Sequence, residues 1–189
     1  LIIGFADGSS KNTFTSNIAL QNGGAIESRT DDPDSSAVVN VIGTTLFSEN
    51  QAGVNGGAIM NWTDADTTSS TAVNFAGNVT FNDNVAGNFG GAIYNGGTGA
   101  NVNLSNAVAV FENNIAKHSG GAIYNDGVMT INESYFKKNT GTSFGGAIAN
   151  TGMMTINNGS FDENKTNWWG GAIYNDGGTL TINGGQFEN

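Results

Sequence analysis

Short runs of alternating apolar and polar residues recur along the whole chain, separated by turns rich in asparagine and glycine. In residues 127–151, for example, the runs centre on MTIN, YFKKN and GGAIAN. Alternation with a period of two is typical of β-strands that bury one face. The pattern therefore predicts an all-β protein made of short strands.

Two motifs, F-x-x-N and G-G-A-I, recur six times, and each Phe precedes the first Gly of its pair by nine residues. A glycine-rich sequence of low complexity would not keep six identical intervals. The F-x-x-N residues are Phe14 and Asn17, Phe47 and Asn50, Phe81 and Asn84, Phe111 and Asn114, Phe136 and Asn139, and Phe161 and Asn164. The G-G-A-I residues are Gly23, Gly24 and Ile26; Gly56, Gly57 and Ile59; Gly90, Gly91 and Ile93; Gly120, Gly121 and Ile123; Gly145, Gly146 and Ile148; and Gly170, Gly171 and Ile173.

The segment from each G-G-A-I to the next Phe varies in length, with counts of 24, 25, 21, 16, 16 and 17 residues. One constant segment and one that tolerates insertions are typical of a solenoid rung with a loop-bearing turn. The three longest segments predict inserted loops at about residues 27–37, 60–72 and 96–101.

Three strands of about four residues fit into one 25-residue period as a flattened triangle. We therefore predict a right-handed, single-stranded parallel β-helix of about six to seven rungs, forming one domain over residues 1–189. A β-propeller blade needs about 40–50 residues, and no six-residue period indicates the left-handed coil.

Each motif residue has a predicted place in the rung. The Phe and Ile side chains stack inside on their counterparts one rung away, while Ala and Tyr of G-G-A-I-Y point outward. Each Asn forms an axial ladder at a turn. The glycine pair permits a tight bend and a close approach of the backbone.

The composition excludes several classes of partner and site. With 16 acidic and 6 basic residues the net charge is −10, so no basic surface exists for nucleic acid or anionic membranes. The absence of cysteine excludes disulfides and thiolate metal sites. No stretch approaches the ~20 apolar residues of a membrane span, so direct membrane insertion of this segment is not expected. The chain ends within its own repeat, which predicts a fragment of a longer surface protein.

The pairing of F-x-x-N with G-G-A-I resembles the repeat of the chlamydial polymorphic outer membrane proteins, over Phe14 to Asn189. Members of that family are autotransporters whose β-helical passengers act as adhesins. The resemblance implies a bacterial, extracellular or outer-surface passenger that binds a host protein or glycan without catalysis. No cofactor is expected, and end-to-end or lateral self-association is a further expectation because the end rungs would be unpaired.

Candidate catalytic groups are few. Lys137 and Lys138 occupy the x-x of one F-x-x-N, where other copies carry acids, so a solvated charged edge is expected. His118 is the only histidine and lies in a turn, with no residues spaced as a triad around it.

The rival from another class is a carbohydrate-active β-helical enzyme, a polysaccharide lyase or hydrolase, which would need acids and cations converging across rungs. A lesser alternative is an ice-binding or self-assembling protein.

Two surfaces could bind a ligand. The first two inserted loops should lie one above the other and bring together five acids: Asp31, Asp32, Asp34, Asp64 and Asp66. They form either a calcium site, since hard cations take clustered carboxylates, or ordinary solvated loops.

The second surface is aromatic. The candidate residues precede the glycine pairs or follow the Ile of G-G-A-I, with one more in the second loop: Phe89, Phe144, Trp168, Trp169, Tyr94, Tyr124, Tyr174 and Trp62. The residues before the glycine pairs form either a stripe for a sugar or protein partner or a cover over the turns, and the tyrosines make a flatter outward face that could bind in the same way.

Overall fold

In the computed structural model, which describes residues 1–5, 9–64 and 68–188, the chain winds into a parallel β-solenoid of about six turns. All strand pairs are parallel, and the described ranges contain no helix. The predicted all-β parallel solenoid is confirmed.

In chain order, the described residues form the strands β1 Ile2–Ile3, β2 Lys11–Thr15, β3 Ile18–Ala19, β4 Ile26–Thr30, β5 Ser36–Ile42, β6 Thr44–Ser48, β7 Gln51–Ala52, β8 Ile59–Thr63, β9 Ser70–Ala76, β10 Val79–Asn82, β11 Val85–Ala86, β12 Ile93–Gly96, β13 Ala100–Asn106, β14 Ala109–Glu112, β15 Ile115–Ala116, β16 Ile123–Asn125, β17 Val128–Lys137, β18 Thr140–Gly141, β19 Ile148–Asn150, β20 Met153–Asp162, β21 Ile173–Asn175 and β22 Thr179–Glu188.

Three sheets run along the solenoid axis. The largest has 11 strands. Each of its long strands β17, β20 and β22 takes the place of two separate strands of an earlier rung, such as β13 and β14. A six-stranded sheet contains β4, β8, β12, β16, β19 and β21, and a five-stranded sheet contains β3, β7, β11, β15 and β18.

The assignment of the three strand runs was partly wrong. The MTIN and YFK runs of residues 129–137 form one continuous strand, β17, and not two sides of a triangle. The third side is the five-stranded sheet, whose two-residue strands directly follow the F-x-x-N motif. Strands of two residues are too short to show alternation, so the pattern could not reveal them.

The phenylalanines of F-x-x-N form one internal column. In-register pairing places each Phe on the next, and the stack continues to Phe187. Adjacent ring centroids are 4.7–4.9 Å apart and nearly parallel. The rings of Phe47 to Phe161 are fully or almost fully buried. The predicted column is confirmed, and the spacing of the rings equals the distance between neighbouring strands.

The asparagines of F-x-x-N form the predicted ladder. Each Nδ2 donates to the Oδ1 of its counterpart in the next rung at 2.8–3.0 Å, from Asn17 through Asn164. The same Oδ1 also accepts the backbone N–H of the Asn in the preceding rung. The residue before each Asn, such as Glu49 or Lys138, has a positive φ and turns the chain. The ladder therefore satisfies backbone groups at a corner where strand pairing stops.

A second Asn ladder was missed from the sequence. It uses the Asn two residues after the Ile of G-G-A-I, and successive side chains bond at 2.7–2.8 Å. The ladder residues are Asn61, Asn95, Asn125, Asn150 and Asn175. These side chains also donate to backbone carbonyls, either at the following turn, as from Asn125 to Gly127, or in the next rung, as from Asn61 to Asn101.

The second ladder ends where Ser28 replaces asparagine. Ser28 pairs with Asn61 in register, yet both the Ser28 Oγ and the Asn61 Oδ1 are buried without a hydrogen-bond partner. We expect Ser28→Asn to raise the free energy of unfolding by about 1 kcal/mol, because its Nδ2 would donate to the Asn61 Oδ1. Urea denaturation measures this. Ser28→Ala removes the unpaired hydroxyl but adds no donor, so a gain of equal size in that variant would contradict the ladder explanation.

The two glycines of each pair have separate roles, illustrated by Gly120 and Gly121. Gly120 has a φ of +67°, which favours glycine. A Cβ on Gly121 would lie 2.0 Å from the carbonyl oxygen of Gly146 in the next rung. The predicted tight bend and close backbone approach are therefore both confirmed.

The alanine of G-G-A-I was expected to point outward, and this was wrong. Ala58, Ala92, Ala122 and Ala147 are fully buried and belong to the hydrophobic core together with the stacked Ile column. The second Gly and the Ala form a bend before the strand begins at Ile, so alternation does not apply across them.

The predicted insertions form more strand than loop. In the 27–37 segment, β4 continues to Thr30 and β5 begins at Ser36. In the 60–72 segment, β8 continues to Thr63 and β9 begins at Ser70, while a turn at 97–99 joins β12 to β13. The added residues of β4 and β8 pair with one another because neighbouring rungs carry insertions of similar length.

Candidate functional site

The outer face of the six-stranded sheet carries one column of side chains next to the buried Ile column. Register aligns Tyr94 on β12, Tyr124 on β16, Ala149 on β19 and Tyr174 on β21. Since neighbouring residues of a strand face opposite ways, each side chain points outward where the preceding Ile points inward. Ala149 therefore interrupts a column of tyrosines.

A second column lies beside the first, at the residues directly before the glycine pairs. Single parallel bridges connect Phe89 to Ser119, Ser119 to Phe144, and Phe144 to Trp169. The two columns belong to the same rungs, because only the short G-G-A-I bend separates them in the chain. Their side chains thus meet on one side of the solenoid.

The rings of the two columns pack into two groups, which the ring of His118 joins into one cluster. Phe89 contacts Tyr124 with centroids 4.7 Å apart, and Phe144 contacts Tyr174 at 4.9 Å. Tyr94 stacks on Tyr124 at 5.4 Å. Trp169 extends the cluster by stacking on Phe144 at 5.3 Å, and Trp168 meets Trp169 edge to face. Trp168 and Trp169 are 69% and 56% exposed, so this end of the cluster is open to solvent.

The cluster surrounds an open groove of about 390 Å³. Rings form most of its lining, and Ala149 contributes a short side chain where the neighbouring rungs carry tyrosine. The polar groups of the lining are Ser119, Thr151 and Asp176, together with His118. We call this surface the aromatic groove.

Two tyrosine hydroxyls of this face titrate above their ordinary range. Burial, with smaller contributions from Tyr124 and Asp126, raises the pKa of Tyr94 to about 12. Desolvation raises the pKa of Tyr174, and the charge and hydrogen bond of Asp176 raise it further. The raised pKa of Tyr174 thus reflects in part the proximity of Asp176, which also lines the groove.

His118 belongs to the aromatic groove, although the sequence indicated only an isolated turn residue. Its ring lies 5.0 Å from that of Phe89 and 5.8 Å from that of Phe144, and its Nδ1 is 2.7 Å from the Ser119 Oγ. Ser119 occupies the aromatic position of its own rung, and the ring of the preceding residue bridges the gap. The sequence did contain a signal for this role, because His118 and Ser119 occupy the two positions before a Gly-Gly pair, where other rungs carry aromatic residues.

Trp62 lies on the same sheet face but outside the groove. It is on β8, and the Arg29 guanidinium lies over its ring at 5.2 Å from the centroid. The Arg29 Nη2 is also 2.7 Å from the Asp31 Oδ2. A cation is thus held between an indole and a carboxylate one to two rungs from the groove.

Comparison with protein families gives one finding. The model of the Chlamydia polymorphic membrane protein repeat matches at residues 13–29, 44–61, 78–96, 109–126, 133–151 and 158–176. These six segments cover more than half of the chain. The chain belongs to the Chlamydia polymorphic membrane protein repeat family. Neither the curated proteins nor the solved structures include a significant match.

Membership of the polymorphic membrane protein repeat family implies association with the outer membrane or the cell surface. The family consists in general of non-enzymatic surface proteins. Among the described residues, no helix is both long and apolar enough to cross a membrane. Every ring of the aromatic groove lies within a family repeat, since the matched segments include all four rungs that form it.

The acidic loops of the first polymorphic membrane protein repeats do not gather their carboxylates in the described ranges. Asp31 pairs with Arg29, and the Asp34 carboxylate accepts from the Thr68 hydroxyl. Asp32 contributes its backbone carbonyl to a turn with Ser35. No three histidine, cysteine or acidic residues of the described chain lie together as a metal site. Asp64 lies at the end of the described segment, and Asp66 lies outside the described residues.

The charged edge of the repeats lies at the F-x-x-N corner. Lys137 pairs with Asp162 at 3.1 Å and Lys138 with Glu163 at 3.8 Å, one rung apart, with all four side chains partly exposed. The predicted solvated edge of Lys beside acids is confirmed. An open groove of about 530 Å³ runs along this edge and includes Asp83 and Lys165.

Proposed function

We propose that this segment is a non-catalytic recognition module of a surface-exposed passenger, an adhesin-like protein that binds its ligand through the aromatic groove. The observation that carries the proposal is the gathering of outward rings from four successive rungs around one open groove. Solvent-exposed aromatic clusters of this kind are typical of binding surfaces, because large rings bury much area at little entropic cost. The family supports the surface location.

The proposal concerns adhesion to a host protein or glycan, so adhesion is the property to measure. Beads coated with the purified chain should bind to cultured epithelial cells, and the double variant Trp168→Ala/Trp169→Ala should reduce binding at least about 10-fold. Both side chains are largely exposed, so the folded state should tolerate their removal. Circular dichroism and urea denaturation check the fold.

Tyr135→Ala is the matched control for this experiment. Tyr135 is 53% exposed but lies on β17, in the 11-stranded sheet and away from the aromatic groove. Its removal should leave adhesion unchanged. Equal loss in both variants, or no loss in the tryptophan variant, would contradict recognition through the groove.

One observation favours the rival function, a carbohydrate-active enzyme. The groove at the charged edge runs along four successive turns, and its lining includes Asp83, Lys138, Glu163 and Lys165. A lyase would need such a base and cation at the reacting carbon. Incubation with pectin-like and other polysaccharides tests this, since new unsaturated or reducing ends that disappear in Lys138→Gln would establish catalysis.

The ice-binding alternative gains little from the arrangement of threonines. Thr130, Thr155 and Thr181 align in register on one outer face, but the column continues as Asn103 and Asn74. An array of three threonines is short for a repeating ice-binding surface. Thermal hysteresis of the purified chain measures that activity directly.

A further inference from the structure

The aromatic groove has negative charge without a matching cation. Asp176 lines the groove beside Tyr174. Asp126 lies two turns from Asp176 along the sheet, and its Oδ1 accepts from the Thr151 hydroxyl at 2.8 Å. No lysine or arginine of the described chain lines the groove. The surface is therefore an apolar, electron-rich groove with a carboxylate at its side, inside a chain of net charge −10.

The same sheet face already shows how this combination accommodates a cation. At its other end the Arg29 guanidinium lies over the Trp62 ring, 5.2 Å from the centroid, while Asp31 bonds it from the side at 2.7 Å. A cation over an aromatic face is attracted by the ring quadrupole, and a planar guanidinium can bond a carboxylate at its edge at the same time. The aromatic groove offers rings and a carboxylate in a similar combination, but no lysine or arginine among the described residues lines it.

We propose that the aromatic groove binds an arginine side chain presented by a basic segment of a partner protein. This inference rests on the proposed function and names the chemistry of the ligand. Charge complementarity favours such an occupant, since acidic groups beside exposed rings attract cations and a partner of like charge is repelled. A second copy of this chain is a poor occupant, because it also carries −10 and its single arginine already pairs with Asp31.

A volume of about 390 Å³ leaves room in the groove for one arginine side chain. Ala149 leaves out the ring that Tyr124 and Tyr174 supply in the adjacent rungs, and it lies buried in the lining of the groove. A guanidinium entering there would lie against the Phe144 and Tyr174 rings, with Asp176 at its edge. Exposed Trp169 would cover the methylene groups of the arginine side chain.

A short peptide tests the inference with the intact chain. Acetyl-Gly-Arg-Gly-amide should cause saturable NMR shifts in the ring signals of Phe144, Trp169 and Tyr174. The same peptide with citrulline for arginine keeps the shape but removes the charge, and it should cause no saturable shift. Asp176→Asn should weaken arginine-peptide binding about 3- to 5-fold, as expected for loss of one partly exposed ion pair.

Asp83→Asn is the matched control, because it changes the net charge by the same amount at the charged edge, remote from the groove. It should leave the affinity unchanged. Equal weakening by Asp83→Asn, or equal binding of the citrulline peptide, would overturn the inference by showing general electrostatic or purely apolar attraction.

Methyl glycosides form the remaining arm of the test. If they shift the groove signals and the arginine peptide does not, the groove recognises sugars: the arginine inference fails while adhesion through the groove stands. If the tryptophan variant adheres normally to cells, the proposed function itself fails, whatever the peptide does.

Discussion

Phe111→Ala is expected to lower the free energy of unfolding by about 3–5 kcal/mol. Phe111 is fully buried and stacks between Phe81 and Phe136 at 4.9 and 4.8 Å. Its removal loses the transfer free energy of the ring and leaves a cavity inside a rung. The stack cannot close over that cavity, because in-register pairing of the flanking strands holds the neighbouring rings in place. Urea denaturation measures the loss.

Phe187→Ala provides the matched control, since Phe187 stacks on Phe161 from one side and is 56% exposed. Its loss should cost about 1 kcal/mol, in keeping with a single ring contact and little cavity. If the two variants lost the same free energy, the buried column would not be the main source of rung stability.

Asn114→Ala is expected to cost about 2–4 kcal/mol, through hydrogen bonds rather than volume. The Asn114 Oδ1 accepts from the backbone N and the Nδ2 of Asn84, and its own Nδ2 donates to the Phe81 carbonyl and the Asn139 Oδ1. All these groups are buried at the corner. Alanine would leave the Asn84 backbone N–H without its acceptor, and a buried unsatisfied donor bears its full desolvation cost.

Asn183→Ala tests whether that cost comes from burial. The Asn183 Nδ2 also donates to the Oδ1 of an asparagine one rung away, Asn157, but Asn183 is exposed and water can replace the bond. The expected loss is below about 1 kcal/mol. Faster amide exchange at Asn84 in the Asn114 variant would locate the defect, whereas wild-type exchange there would contradict the ladder account.

The repeat was predictable because its most constrained residues are also its most regular ones. A column such as Phe81, Phe111 and Phe136 requires one ring in each rung at one position, so the motif spacing records the register directly. The same holds for Gly121, whose missing Cβ gives room to a carbonyl of the next rung. Constraints that repeat in every rung leave a period in the sequence.

Features that depend on the corners were harder to predict. Alternation correctly placed the Ile of G-G-A-I inside, but the bend that precedes it turned Ala122 and its equivalents inward as well. The second Asn ladder begins with Asn61 and follows that bend. Its Asn recurs in the sequence, yet the role of the side chain depends on a neighbouring turn that the strand pattern does not describe.

The candidate site was predictable as a set of residues but not as a shape. Seven of the eight aromatic candidates cluster on one side of the solenoid, and only Trp62 lies outside that cluster. The contacts depend on how the rings lean along the axis, as Phe89 does toward Tyr124 of the next rung. The contributions of His118 and Ala149 to the groove come from rungs that lack an aromatic residue at the repeated position, and a repeat pattern shows this only as an irregularity.

Contacts between phenylalanine rings that are distant in sequence test the solenoid most directly. NMR of the chain with isotope-labelled phenylalanine should show ring-to-ring nuclear Overhauser effects from Phe111 to Phe81 and to Phe136, since those centroids lie 4.9 and 4.8 Å apart. Ring signals without such contacts, or with the shifts of solvent-exposed phenylalanine, would contradict the stacked column and the groove that its register assembles.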